Sequence, residues 1–256
     1  MNRMKNKRAI VVDLDRTLLR SNKTISQYTV DVLNRCKKCG VKIIVATARP
    51  QRDVMQFCDI VDFDGLVVSN GARVLCGDHR TEFFLRPDSA ERLLKTLGNI
   101  QNIRITLETG DCAYSNRFIE DYPTVVCDDL IEVAKSEGVL KLLVHIDSED
   151  VLETVKNDLT EDLYYSVAHG YLMQIMDKSA TKWNGIKTLL NLCGCSPEEA
   201  AYFGDDHDDI EPIKMCKIGI AVSNGIDEVK EAADFIAESN DEDGVAKFIE
   251  QILSTV

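Results

Sequence analysis

The run "AIVV" at positions 9–12 ends on two aspartates, Asp13 and Asp15, with one residue between them. A short apolar run of this kind reads as a buried strand. A carboxylate buried at its end carries a desolvation cost. A second one nearby adds to it, because like charges raise each other's pKa. Two arrangements can tolerate the pair. The strand can run out into a solvated turn, or the carboxylates can gather around a cation at the carboxyl end of a central parallel strand. The latter is where open α/β sheets place their ligands.

The rest of the chain favours a parallel sheet. Strand-like runs recur at "VKIIVA" (41–46), "GLVVS" (65–69), "AYFG" (201–204) and "IGIAV" (218–222). Between the first two lies "SQYTVDVLNRCKKCG". Its Val30, Leu33 and Cys36 recur at helical spacing, with Ser26 placed to cap the helix and Gly40 to end it. Strand, helix and strand at this spacing argue a βαβ unit. The chain closes on "DGVAKFIEQILSTV", a helix with an apolar stripe at Val245, Phe248, Ile249 and Ile252.

The middle follows another pattern. "PDSAERLLKTL" reads as a helix in which Asp88 and Glu91 fit a capping-box-like start. "IRITLET/DCAYSN" and "LYYSVAH/YLMQIMD" read as antiparallel hairpins around the turns "GD" and "GY". A weaker helix near 128–137, the strand "VLKLLVHI" and the helix "SEDVLETVKNDLT" lie between them. Two α-β-β units thus interrupt the first domain. The expected division is an α/β Rossmann-like parallel-sheet core over 1–80 and 179–256, with an inserted α+β cap over 81–178. Such an insert suggests a lid.

Composition narrows the partners. A net charge of −13 over 256 residues repels nucleic acid and anionic membranes. It also repels anionic substrates at long range, so a phosphate site needs a local lysine or metal. Nine cysteines include one CxxC, "CKKC" at 36–39. Without a second CxxC a zinc site is not indicated, and the thiols read as reduced, small core residues of a cytoplasmic protein. No apolar stretch resembles a signal sequence or a membrane span.

Four motifs fall at or just after strand ends or at a helix start: "DLDRTL" (13–18), "ATARP" (46–50), Lys182 in "SATKWNGIKTLL", and "GDDHDDI" (204–210). Their order resembles the haloacid dehalogenase-like superfamily, whose first motif has the form DxDxT. "VVSNGARV" (67–74) and the ending "AVSNGIDEVKEAADFIAESNDEDGVAKFIEQIL" are similar to its Cof-type (IIB) hydrolases, which carry a large cap between the second and third motifs. The resemblance spans essentially the whole chain. It implies a Mg2+-dependent phosphatase of small phosphorylated metabolites working through an aspartyl-phosphate. Phosphomutase chemistry, or a phosphate-binding regulator that has lost turnover, are the alternatives.

The residue types suit that chemistry, since phosphoryl transfer needs positioning and charge neutralisation. Asp13 fits the nucleophile. Asp15 fits a general acid and then base, a role that calls for a raised pKa. The resemblance implies Mg2+ held by the Asp13 carboxylate, the Asp15 backbone carbonyl and the Asp205 carboxylate. Thr47, with the backbone N–H groups of Ala48 and Arg49, would bind phosphate, and Lys182 would touch both phosphate and Asp13. Asp209 would orient Lys182 or a metal-bound water, with Asp208 beside it. Arg16, Arg49 and Asn70 are candidate substrate contacts. Arg16 stands where the family usually has Gly, and Ala48 also replaces a common Gly. Asp208 stands where the family usually has Asn, so an amide donor becomes a carboxylate that either turns outward or binds metal. His207 lies inside a motif, while His79, His145 and His169 are scattered; all four read as non-catalytic. Trp183 reads as packing, and "DEDG" (241–244) as a helix-start cap.

Overall fold

The computed structural model describes residues 8–120, 122–168 and 170–253. The basic N-terminal residues up to Lys7 and His169 therefore lie outside the described residues. The first apolar run is strand β1 (Ala9–Val12), buried along its whole length. A wide turn over Leu14–Leu18 follows, closed by Leu18 N–H to the Asp13 carbonyl at 3.2 Å and Leu19 N–H to the Leu14 carbonyl at 2.8 Å. Helix α1 (Gln27–Lys38) starts where the Ser26 side chain accepts the Thr29 N–H, and the chain turns out of it at Gly40 with φ +79°. Next come β2 (Lys42–Ala46), α2 (Gln51–Cys58), β3 (Gly65–Val68), β4 (Arg73–Cys76) and β5 (His79–Glu82).

The inserted segment holds α3 (Pro87–Gly98), β6 (Ile105–Glu108), β7 (Ala113–Ser115), β8 (Val125–Val126), α4 (Leu130–Ser136), β9 (Lys141–His145), α5 (Glu149–Asp158), β10 (Leu163–Ala168) and β11 (Leu172–Asp177). The chain then continues through α6 (Lys182–Leu192), β12 (Ala200–Gly204), α7 (Ile210–Met215), β13 (Ile218–Val222), α8 (Asp227–Ala232), β14 (Phe235–Ala237) and α9 (Gly244–Leu253). Glu82–Ala180 forms one compact unit, and the residues before and after it form the other.

The outer unit is built on one sheet with the order β14-β13-β12-β1-β2-β3-β4-β5. Its first six strands are parallel, and β4 runs antiparallel to β3. Read from β3, the parallel part has the doubly wound order 3-2-1-4-5-6, whose switch point lies between β1 and β12. Ile10, Val12, Ile43, Val45, Phe203 and Ile220 lie in one apolar cluster with Leu33 and Val54 of the helices. Each such side chain contributes roughly 1.5–3 kcal/mol on burial. No helix among the described residues is long and apolar enough to cross a membrane.

The inserted unit has a six-stranded sheet, β10-β11-β9-β6-β7-β8. Both expected hairpins form, and Gly170 turns the second with φ +76°. Leu107, Leu142, Val144 and Ile175 pack with Leu93 and Leu97 of α3. The alternate residues Thr106, Glu108, Lys141 and Gln174 are polar yet buried, and Lys141 Nζ donates to Gln174 Oε1 at 2.8 Å.

Several local expectations are corrected. Helix α3 has no capping box: its N-cap is Arg86, Pro87 fills the first turn, and Glu91 instead pairs with Lys95 and Lys135. The acidic run 241–244 is both cap and tether: Glu242 accepts from the Ser239 hydroxyl and N–H in a capping box on the turn Asn240–Glu242. Asp241 accepts from the N–H and hydroxyl of Ser21, and Asp243 pairs with Arg20. The thiols are not uniformly core. Cys36, Cys195 and Cys216 are buried, Cys39 is exposed, and the others lie between. Trp183 is buried packing, as expected.

Asp64 ties the chain entering β3 to β2. Its carboxylate accepts the Ile43 N–H and Lys42 Nζ, each at 2.9 Å. Burial opposes the charge, but these donors win and hold the carboxyl below its ordinary range. Asp64→Asn is expected to cost about 1–2 kcal/mol at neutral pH. Because the folded pKa is depressed, the wild-type advantage is full above the unfolded pKa and fades as pH falls through the folded one. Urea midpoints of the two proteins should therefore converge in acid; a gap that stays constant would contradict this.

Candidate active site

Asp13 sits directly after β1 and Asp205 directly after β12, so the two adjacent strands at the switch point deliver both carboxylates. Asp13, Asp205 and Asp209 are buried, and each offers a carboxylate oxygen within 4.8 Å of the others. Lys182, the first residue of α6, reaches into this cluster. Its Nζ donates to Asp13 Oδ1 at 3.0 Å and to Asp209 Oδ1 at 2.6 Å. Burial opposes its charge, yet Asp13, Asp209 and Asp208 raise its pKa above the ordinary lysine value.

Asp209 organises the cluster. Oδ1 accepts from Lys182 and from the Tyr202 hydroxyl at 2.5 Å; Oδ2 accepts the N–H groups of Asp205 at 2.8 Å and Asp206 at 3.1 Å. A carboxylate has about four lone-pair sites, and here all are used by protein donors. Gly204 makes the approach feasible, since a Cβ there would lie 2.4 Å from the Asp209 side chain. Tyr202 was not foreseen. A phenol inside "AYFG" reads as an apolar core residue, and nothing in the linear pattern shows where its hydroxyl ends.

Asp205 is held by Thr17, whose hydroxyl donates to its Oδ1 at 2.8 Å. Thr17 is the threonine of the first motif, which was the available signal for its role. Arg16 does adopt the left-handed backbone, φ +60°, ψ 5°. A non-glycine residue there costs roughly 1–2 kcal/mol, and Asn224 offsets it from both sides. The Arg16 guanidinium donates to the Asn224 carbonyl at 2.8 Å, and the Asn224 amide donates to the Arg16 carbonyl at 2.7 Å. Arg16 Nε also lies 3.6 Å from Asp205 Oδ2. Its side chain is thus engaged by the protein itself, at the rim of the cluster.

Asp15 departs from expectation. Its carboxylate is not part of the buried cluster. Arg49 donates to both its oxygens, at 2.6 and 2.8 Å, and Lys23 to one at 2.7 Å. Burial would raise its pKa, but these cations prevail and hold it at about 2, the reverse of the shift a resting acid needs. Lys23 lies outside the motifs and was not foreseen. Thr47 is buried after β2, and its hydroxyl oxygen accepts the Arg49 N–H at 3.3 Å, so that N–H of the expected phosphate nest is turned inward.

Asn70 and Asp208 meet: the Asn70 amide donates to Asp208 Oδ2 at 2.6 Å. Asp208 is exposed but tethered, neither swung away nor in the buried carboxylate cluster. Asn70 lies in a turn where Ser69, Asn70 and Gly71 all have positive φ. Gly71 is required there, since a Cβ would meet the Thr181 carbonyl at 2.1 Å, directly beside the start of α6. His207 and His79 are exposed, while His145 packs against Tyr171.

The donor set fits a hard divalent cation. Burial raises Asp13 well above its ordinary range despite Lys182, with Asp209 and Asp205 adding to the rise. Burial, then Asp209, pushes Asp205 up to about 6. The cluster is short of positive charge, and its ligands are oxygens, as Mg2+ prefers. With Asp209 fully occupied, Asp13 and Asp205 are the carboxylates that remain to bind it.

A doubly wound α/β fold with a buried acidic site at its switch point is the class defined by this geometry. The chain belongs to the haloacid dehalogenase-like hydrolases, whose family profile matches residues 10–249. It is similar to two Bacillus subtilis (strain 168) proteins named 5-amino-6-(5-phospho-D-ribitylamino)uracil phosphatase. YitU is 28% identical over 96% of this chain and 97% of its own, and YwtE 25% over 96% and 98%. Among solved structures, BT1666 from Bacteroides thetaiotaomicron, a phosphatase of this superfamily, superposes with a TM-score of 0.86 at 22% identity, covering 96% of this chain and 95% of that one. The subclass IIB sugar phosphatase BT4131 gives 0.82 at 22%, covering 98% and 100%.

Proposed function

We propose that this chain hydrolyses phosphate monoesters of small metabolites, with Mg2+, through a phosphoryl group carried on Asp13. The chain is a haloacid dehalogenase-type phosphatase by family and by its relatives. The observation that carries the finer reading is Lys182 bridging Asp13 and Asp209 inside a buried carboxylate cluster. Structural cations of this kind are rarely buried without a partner. Here the partner is the carboxylate at the strand end.

The carboxylates of Asp13 and Asp205, with the Asp15 carbonyl, would hold Mg2+, which would supply charge neutralisation for the phosphoryl oxygens. Asp13 attacks phosphorus, and Lys182 and the Thr47 hydroxyl hold the phosphoryl oxygens. The leaving oxygen takes a proton from Asp15. Asp15 then takes one from the water that attacks phosphorus, returning Asp13 and inorganic phosphate. Because Arg49 and Lys23 keep Asp15 ionised at rest, its acid role requires them to release it, and a proton from solvent to reach it, when substrate enters. Asp209 keeps Lys182 charged and aimed, and Thr17 keeps Asp205 aimed. The unit Glu82–Ala180 is read as the specificity element.

The test is phosphate release from a panel of phosphorylated metabolites. Activity should require Mg2+, disappear in EDTA and return on Mg2+ addition. Calcium should inhibit, since its looser coordination misplaces the ligands. Full activity in chelator would rule out the metal assignment.

Asp208→Asn should improve the enzyme. An asparagine oxygen still accepts from Asn70, while its NH2 replaces a negative oxygen with a donor toward phosphate. A charge-assisted hydrogen bond of about 1.5 kcal/mol corresponds to roughly tenfold in kcat/KM. Steady-state kinetics with one ester across a Mg2+ series check this. A loss of activity rescued by excess Mg2+ would make Asp208 a metal ligand instead.

A further inference from the structure

Cys76 ends β4, and Cys193 caps the C-terminus of α6. They are 117 positions apart in sequence, and the whole of Glu82–Ala180 lies between them. Helix α6 packs on β3 and β4. This packing brings the two sulfurs to 3.7 Å, one thiol donating to the other, with both residues half-buried. A disulfide needs about 2.05 Å between sulfurs, so closure requires a shift of about 1.7 Å. Side-chain rotation at the two residues can supply part or all of it. Cys195 is directed elsewhere, its thiol toward the Cys193 carbonyl.

We propose that Cys76 and Cys193 form a redox-sensitive pair, closing to a reversible disulfide when the protein meets hydrogen peroxide. Cys76, at the end of β4, takes the first step. Its thiolate attacks one peroxide oxygen. An S–O bond forms, the O–O bond breaks, and the departing hydroxide takes a proton and leaves as water. The Cys193 sulfur then attacks the Cys76 sulfenic sulfur. The S–S bond forms, the S–O bond breaks, and the hydroxide leaves as water with the Cys193 proton. Two thiols and one peroxide become one disulfide and two waters.

The bridge would close a loop containing the entire inserted unit. Constraint of the unfolded chain grows with loop length, so this link restricts it strongly. It also anchors the far end of the helix whose first residue is Lys182. The "CKKC" motif offers the competing chemistry, with Cys36 buried in α1 and Cys39 exposed just past its end.

The test treats the full chain with hydrogen peroxide, alkylates the remaining thiols and maps the peptides. The expected product is a Cys76–Cys193 linked peptide that dithiothreitol dissolves, accompanied by a higher urea midpoint in the oxidised wild type. Cys76→Ser should show neither change. Cys193→Ser should leave Cys76 as a sulfenic acid that dimedone captures. Full alkylation of both residues after peroxide, or linkage only through Cys36 or Cys39, would overturn the proposal. Where a serine variant fails to fold, the wild-type peptide map decides alone.

Discussion

Asp13→Asn is expected to fold as the wild type and to release phosphate roughly 10^4–10^6-fold more slowly, the scale of losing a nucleophile. The amide is nearly isosteric, and its oxygen can still accept from Lys182, which now donates to Asp13 Oδ1. What it lacks is the charge that attacks phosphorus and helps hold the cation. Stability should not suffer. Burial and the neighbouring Asp209 and Asp205 already raise the Asp13 pKa. Removing that carboxylate therefore relieves repulsion in metal-free protein. Urea unfolding in EDTA together with phosphate release checks both halves. A variant that turned over near the wild-type rate would show that the attacking group lies elsewhere.

Lys182→Met should carry the largest stability penalty of any single change in the site. It removes the ammonium and leaves Asp13 and Asp209 buried with no cation between them, at a cost of about 3–5 kcal/mol in the absence of metal. Asp209 would retain Tyr202 and the N–H groups of Asp205 and Asp206, so the loop after β12 should persist. The pH dependence has a defined sign. Without Lys182 the carboxylate pKa values rise further, so the folded state binds more protons than the unfolded one. Stability then falls as pH rises, and the penalty should be greater at neutral pH than below the Asp205 value of about 6. Denaturant midpoints across that range in EDTA, with phosphate release measured alongside, test it. A small, pH-independent loss would mean that Lys182 is a peripheral lysine.

Much of the outer unit was legible in the sequence because strands buried on both faces read as plain apolar runs. "AIVV", "KIIVA" and "IGIAV" fall on β1, β2 and β13. The hairpin β4–β5 and the edge strand β14 were not: "HRTE" is polar and partly exposed, and "FIA" is apolar but only three residues long, with Phe235 and Ile236 exposed. The same division runs through the site. Asp13, Lys182 and Asp205 stand at strand ends or a helix start, positions that backbone topology alone brings together. The partners that tune them stand outside the four motifs: Tyr202 on Asp209, Lys23 on Asp15, and Asn224, 208 positions away, on Arg16. Their types are ordinary in core, loop and turn, so no spacing marked them. The expected rise in the Asp15 pKa failed for the same reason. The neighbouring carboxylate was visible in the motif, but the Arg49 fork, which with Lys23 outweighs the burial of Asp15, was seen only in the fold.

The most direct test of the central claim is chemical trapping of the phosphorylated enzyme. An aspartyl-phosphate is an acyl phosphate, which borohydride reduces to homoserine, whereas a free aspartate is inert to it. Protein quenched during turnover, reduced and mapped by mass spectrometry should carry homoserine at position 13, and only when substrate is present. Turnover with Asp13 unreduced, or with the modification at another residue, would contradict the assignment of Asp13 as the nucleophile.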